Sequence, residues 1–203
     1  MLPKKKTQVR KEEIVQAALA VIGERGVGGT TIAAIAEKAG MSEANIYRHF
    51  SGKREIFIAL TEFIGNNIMK RAATIAAGSG SPLAKLQKIF TFHLALIAQN
   101  PGMPRFIFSE DIQIGDRELS QSLFLRMSGY VETLAGIIAA GVAEGEFTAG
   151  VAPRETALTL LGMLSFTALR WNMSNAAFDI REDGERLLHN FLQLLRGTHA
   201  DNM

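Results

Sequence analysis

The chain has 203 residues, 47% hydrophobic and 21% charged, the balance of an ordinary globular protein, and it has no cysteine, which excludes disulfides and thiolate metal sites. Its formal net charge is only +2, but residues 1–54 hold ten Lys/Arg against five acids, which leaves −3 for the remainder. A basic segment on a mildly acidic body is the electrostatic footprint expected of a polyanion binder, or of a lysine-rich solubilising tail.

"MLPKKK" leads into a polar amphipathic helix with no apolar h-region, so no secretory signal is expected. The strongly apolar stretch 156–169 is shorter than the ~20 residues of a membrane span, so the expected location is the cytoplasm, with no membrane partner. Ile14, Ala18, Val21 and Ile22 repeat at helical spacing and predict a first helix over about Gln8–Arg25, closed by "GVGG". A second helix is expected over 32–38, with Thr31 as N-cap and Gly40 as its stop. Ser42 caps a third, with Met41 and Ile46 at the two positions of a hydrophobic staple. A long helix over about 53–77 ends at "GSGSP", and further helices are expected over 82–99, 103–111, 117–145, 153–175 and 181–196. No segment alternates as a strand would. The prediction is an all-α fold of about nine helices, with a helix-turn-helix domain at 1–52 and a larger helical domain at 53–203.

Three short helices with a tight turn at Gly40 fit a DNA-binding helix-turn-helix. The third turns Ile46 and Phe50 inward and leaves Glu43, Ala44, Asn45, Tyr47, Arg48 and His49 outside. Asn45 suits adenine, Glu43 a cytosine amino group, Arg48 a guanine or a phosphate, and the small Ala44 permits close approach to base edges. Lys53 and Arg54 occupy a helix first turn, where the macrodipole disfavours cations; a phosphate bound there, clamped with His49 and Tyr47, relieves the conflict. Thr31 makes a second candidate phosphate site.

With these features in place, "GTTIAAIAEKAGMSEANIYRHFSGKREIF" (29–57) closely resembles the DNA-binding region of the TetR family of bacterial repressors. The shared pattern is the threonine pair, the "IAxxAG" turn, the Ser cap, "IYxHF" and a lysine three residues beyond. The resemblance implies a homodimer on a pseudo-palindromic operator. It implies phosphate contacts from Thr31, Tyr47, His49 and Lys53, and base contacts from Glu43, Ala44 and Asn45, with Arg48 as a further candidate. Ala33 departs from members that carry a longer polar side chain there, so base reading is not extended to the second helix. The arm at Lys4, Lys5 and Lys6 is expected to touch the minor groove or phosphates, or to be disordered.

The family's larger region generally binds a small molecule and dimerises. The segment 157–171 is apolar on nearly every side, and 181–196 carries a wide apolar stripe. Together they suggest a four-helix contact across a two-fold axis through Leu158, Leu161, Ser165, Leu188, Phe191, Leu192 and Leu195. Phe63, Phe90, His93, Phe106, Phe108, Met127, Tyr130, Met163, Phe166 and Trp171 are candidate walls of a pocket for a largely apolar effector, aromatic or acyl; plain core packing is the alternative for each. Arg105, Arg126 and Arg170 suit an anionic ligand or surface salt bridges. His49, His93, His189 and His199 are scattered, with no HExxH, GxSxG or cysteine nucleophile, so no enzyme, cofactor or metal site is expected. A third reading is a constitutive DNA-binding protein whose large domain only dimerises.

Overall fold

The computed structural model describes residues 4–196. Among them are ten helices and no strand: α1 (Lys4–Arg25), α2 (Ile32–Ala39), α3 (Glu43–Tyr47), α4 (Lys53–Ala77), α5 (Pro82–Gln99), α6 (Gly102–Ile107), α7 (Glu110–Gln113), α8 (Arg117–Ala143), α9 (Pro153–Met173) and α10 (Ile180–Arg196). The single helix expected over 103–111 is two. Phe108 leaves helical geometry at φ −94°, ψ 5°, and Ser109 is extended before α7 begins. The first helix also begins four residues earlier than its apolar spacing indicates, at Lys4, because lysine propagates a helix without needing a core face.

The helices form two compact units, one of residues through Asn67 with Asn100–Leu125, the other of Ile68–Gln99 with Arg126 onward. In the first, Ile14, Ala18, Val21 and Ile22 of α1 are buried with Ile35 of α2, Ile46 and Phe50 around α3, and Ile56 and Leu60 of α4. Gly26, at φ 73°, ends α1 in the left-handed conformation, and its N–H returns to the Ile22 carbonyl at 2.9 Å. The α6 helix lies against α1 so closely that a Cβ on Gly102 would overlap the Leu19 carbonyl oxygen. Arg105 fastens the same pair by donating to the Gly23 carbonyl at 2.6 Å, and Phe106 packs edge-on against Phe57, centroids 5.4 Å apart.

In the second unit, Leu86, Ile89, Phe90 and Leu94 of α5 are buried with Val131, Leu134 and Ile138 of α8, Leu160 and Leu164 of α9, and Leu188, Leu192 and Leu195 of α10. The α10 helix approaches α5 at Gly184, where an added Cβ would stand 2.6 Å from Leu94. The Glu146 carboxylate accepts the Leu83 N–H at 3.0 Å and so caps α5, a favourable place for a negative charge. By length and composition alone α8 is apolar enough to cross a membrane, a property the expectation centred on 156–169 passed over. Its Leu119, Val131, Leu134, Ile137 and Ile138 are buried inside the fold.

Gly102→Ala is expected to destabilise the protein by about 1–3 kcal/mol, because the carbonyl of Leu19 must move. Gly136→Ala, at an α8 position with nothing within 4 Å of the new methyl, is expected to stabilise by about 0.5–1 kcal/mol. Urea denaturation of both variants checks the opposite signs.

Candidate functional site

The α2–α3 pair is shaped by its caps. Thr31 is extended, and its hydroxyl accepts the Ala34 N–H at 3.1 Å. Gly40 takes φ 63° at the end of α2; its N–H returns to Glu37 and the Met41 N–H to Ala36. Ser42 is extended and accepts the Asn45 N–H at 3.2 Å, starting α3 after three residues that follow α2. The α3 helix has five residues, too few to be stable alone. Ile46 and Phe50 hold it from beneath, both buried, and the Phe50 N–H closes onto the Ile46 carbonyl at 3.0 Å. The ammonium of Lys11 on α1 sits 4.9 Å from the Phe50 ring centroid, a cation–π contact that adds to this anchor.

What remains outside is polar. Glu43, Ala44, Tyr47 and Arg48 are exposed, while Asn45 and His49 are half-buried. Tyr47 keeps 54% of its surface, an unusual exposure for a tyrosine in a packed domain. His49 has its Nδ1 buried without a partner. Thr31, Ala33 and Lys53 are exposed on the same unit, Lys53 with its ammonium 5.6 Å from the Phe57 ring centroid. Arg54 is different. Its guanidinium binds the Asp116 carboxylate at 2.7 and 3.2 Å and Glu118 at 2.6 Å. These bonds raise the Arg54 pKa further and lower that of Asp116. The sequence reading relieved the two first-turn cations of α4 with a bound phosphate; for Arg54 the relief comes from these two acids instead. The Ser51 N–H is likewise taken, by the Glu55 carboxylate at 2.6 Å.

The second unit holds a small cavity lined by Ile89 and Phe90 of α5, Tyr130 and Leu134 of α8, and Leu160, Leu161 and Leu164 of α9. It has about 10 Å³ of free space, close to the least that holds one water. Of the expected pocket residues, Phe90 and Tyr130 line it, and His93 touches Tyr130, Nδ1 to hydroxyl 3.3 Å. Phe63, Phe106 and Phe108 belong to the other unit, Phe106 in its core and Phe108 at its surface. Met127 and Phe166 are exposed, the latter at 62%. Met163 is half-buried, and Trp171 is buried with its indole N–H donating to the Phe178 carbonyl at 3.0 Å. Choosing aromatics and methionines overlooked Ile89, Leu134, Leu160 and Leu164. The signal that finds them is the helical spacing Ile89–His93, Tyr130–Leu134 and Leu160–Leu164, one turn apart in each helix. Arg170 is held by Asp183 at 3.1 Å, Arg105 by Gly23, and Arg126 is half-buried.

The expected dimer residues divide. Leu188, Leu192 and Leu195 are buried within their own chain, because the α10 stripe they define covers α5 and α9. Leu158 is exposed, and Leu161, Ser165 and Phe191 are half-buried. The apolar stripe left open instead runs through Leu158, Phe166 and Met173 of α9, with Leu194 of α10 73% exposed. Membership of the core was legible from periodicity; which flank of a helix apolar all round turns outward was not.

Residues 14–60 match the model of "Bacterial regulatory proteins, tetR family", and residues 79–193 match "Tetracyclin repressor-like, C-terminal domain". The chain is 25% identical to the fatty acid metabolism regulator protein of Bacillus subtilis (strain 168), over 83% of this chain and 86% of that one. It is 32% identical to the nucleoid occlusion factor SlmA of Marinobacter nauticus, over 73% and 74%. The crystal structure of the transcriptional regulator FadR from Bacillus subtilis in complex with stearoyl-CoA superposes with a TM-score of 0.76 at 24% identity, over 90% of this chain and 97% of that one. FadR from Bacillus halodurans gives 0.80 at 20% identity, over 93% and 97%.

Burial drives the His93 pKa from 6.5 down to about 4. The unfolded chain therefore takes up a proton near 6.5 that the native state refuses until about 4. Stability is full above 6.5 and falls as pH drops through this window, by on the order of a few kcal/mol. The lowered carboxylates of Glu24, Glu55 and Asp116 add their own loss only near and below their ordinary values of 4.5, 4.5 and 3.8. Denaturation midpoints measured between pH 6.5 and 5 are expected to slope in the parent and to flatten in His93→Gln.

Proposed function

The chain belongs to the tetR family of bacterial regulatory proteins, and on that premise we propose that it is an effector-controlled repressor that binds a pseudo-palindromic operator as a homodimer in the cytoplasm. The observation that carries this reading is the outer face of α3, polar and exposed on a buried apolar anchor. Glu43, Ala44, Asn45 and Arg48 take the base-facing roles, and Thr31, Tyr47, His49 and Lys53 the phosphate contacts. The exposed stripe of Leu158, Phe166, Met173 and Leu194 supports an isologous contact. A dimer built this way presents two recognition helices about 34 Å apart, one turn of B-DNA, or at a variant of that spacing. The domain division at 52/53 is retained as a functional one, with DNA contacts before it and effector and dimer contacts after it.

The effector is largely apolar. The lining of the second unit's cavity supports this, as do relatives that regulate fatty acid metabolism and the FadR complex with stearoyl-CoA. Effector binds better to a form with another helix spacing and draws the population away from DNA. A second reading, constitutive DNA binding without an effector, draws on the small volume of the cavity and on the likeness to nucleoid occlusion factors. Under it, DNA affinity stays constant across a ligand library.

Selection of bound DNA from random sequence, repeated with apolar ligands, tests the proposal. Sequence-specific enrichment that a ligand abolishes supports it; no enrichment at moderate salt overturns it. Asn45→Ala is expected to weaken preferred sites more than random DNA. Lys53→Ala should weaken both alike and lower the slope of log affinity against log salt by about one.

A further inference from the structure

We propose that Asp116 and Glu118 stand in for a DNA phosphate at the first turn of α4, so that the chain's own acids and the DNA backbone compete for Arg54 and the ion pair acts as a brake on DNA binding. This rests on the DNA-binding reading above, in which Lys53 of the same turn holds a phosphate, and adds a self-limiting contact to it. Arg54 follows Lys53 in that turn, and Arg54, Asp116 and Glu118 all belong to the first unit. The Arg54 Nε donates to Asp116 Oδ2 at 2.7 Å and its Nη2 to Asp116 Oδ1 at 3.2 Å, the forked grip that an arginine also uses on a phosphate. Nη2 donates again to Glu118 at 2.6 Å. One arginine between two carboxylates leaves the cluster net negative, beside a helix turn that has to meet a polyanion.

The contact can be exchanged at little cost. Arg54 keeps 54% of its side-chain surface and Glu118 75%, and ion pairs this exposed contribute little in water and are weakened by salt. Asp116 has a second task that outlasts the arginine. Its Oδ1 also accepts the N–H groups of Glu118 at 3.1 Å and Leu119 at 3.2 Å, and so caps α8. Arg54 needs an anion of some kind, because it is a cation in the first turn of a helix, where the macrodipole disfavours it. A phosphodiester meets that need as a carboxylate does.

The rest of the turn does not supply that anion. Glu55, the acid in the first turn of α4, is committed to the Ser51 N–H at 2.6 Å. Lys53 has the ring of Phe57 and no ion pair among the described residues. Asp116 and Glu118 are thus the two carboxylates placed to neutralise Arg54, and they come from the start of another helix. When DNA binds, Arg54 passes from the acids to a phosphate, and Asp116 stays behind as the cap of α8. By linkage, whatever holds the start of α8 on Arg54 weakens DNA binding, and DNA loosens that hold. A brake of this kind acts on the backbone and not on base edges, so it lowers affinity for every duplex alike.

The test measures binding of the full-length protein to a random-sequence duplex and to a selected site, by fluorescence anisotropy over a range of salt. The double variant Asp116→Asn, Glu118→Gln keeps an amide oxygen to cap α8. It is expected to bind both duplexes about fivefold more tightly than the parent, the upper worth of a surface ion pair. The slope of log affinity against log salt should steepen by about one. In an Arg54→Met background the same two substitutions are expected to change affinity by less than about twofold. Glu118→Gln alone, at an exposed site outside the cap, should give part of the gain, and it carries the test if urea denaturation shows the double variant to be poorly folded. Unchanged or weaker DNA binding by the acid variants overturns the proposal, since the ion pair is then a structural brace. An equal gain with and without Arg54 overturns it as well, because the acids then act by repulsion alone. So does a gain confined to the selected site. A parent that binds no duplex even at low salt removes the DNA-binding reading itself, and the brake with it.

Discussion

The recognition surface depends on the burial of Ile46 and Phe50. A five-residue helix has too few internal hydrogen bonds to offset its own ordering, so α3 exists only where the core of its unit holds it. The two anchors fix its rotation as well as its position, because side chains four apart in sequence share one face. With that face buried in the core of the unit, the residues between and before the anchors have nowhere to go but outward. The polarity of Tyr47, Arg48 and His49 is the surface chemistry this geometry leaves over.

Around that anchor, charges are assigned to one of two tasks. Arg54 is occupied with Asp116 and Glu118, inside the chain's own unit. Lys53 beside it has only the face of Phe57, which stabilises an ammonium without neutralising it. Two adjacent cations of the same helix turn thus differ in what they present to an incoming polyanion. A count of basic residues in the first 54 does not make that distinction; the acids that silence Arg54 lie more than sixty positions downstream.

The same contrast describes how far the sequence can be read. The three short helices, Thr31 and Ser42 as caps, Gly40 as the left-handed stop and the inward pair on α3 were all legible, because each is set by residues a few positions away. The break between α6 and α7 was not. Nothing in "PRFIFSED" forbids a continuous helix, and the break falls at Phe108 and Ser109, six residues and more beyond the close approach of α6 to α1 at Gly102. The cavity was half legible. Phe90 and Tyr130 stand out in the sequence as aromatics, but aliphatic wall residues look like any other core. What covers the α10 stripe is hidden from the sequence for a related reason. An apolar stripe records that something covers it, and Leu188, Leu192 and Leu195 turn out to be covered by their own chain.

The narrowness of the cavity beneath Phe90 and Tyr130 has a consequence for sensitivity. With room for about one water, the cavity as it stands is too small for any molecule large enough to reach from Tyr130 to Leu164. Under the effector-controlled reading proposed above, a ligand must wait for a rarer, opened conformer, and its apparent affinity is its intrinsic affinity scaled by the fraction of time that conformer is present. On that reading the concentration at which the regulator responds is set as much by the tightness of aliphatic packing among α5, α8 and α9 as by any contact with the ligand.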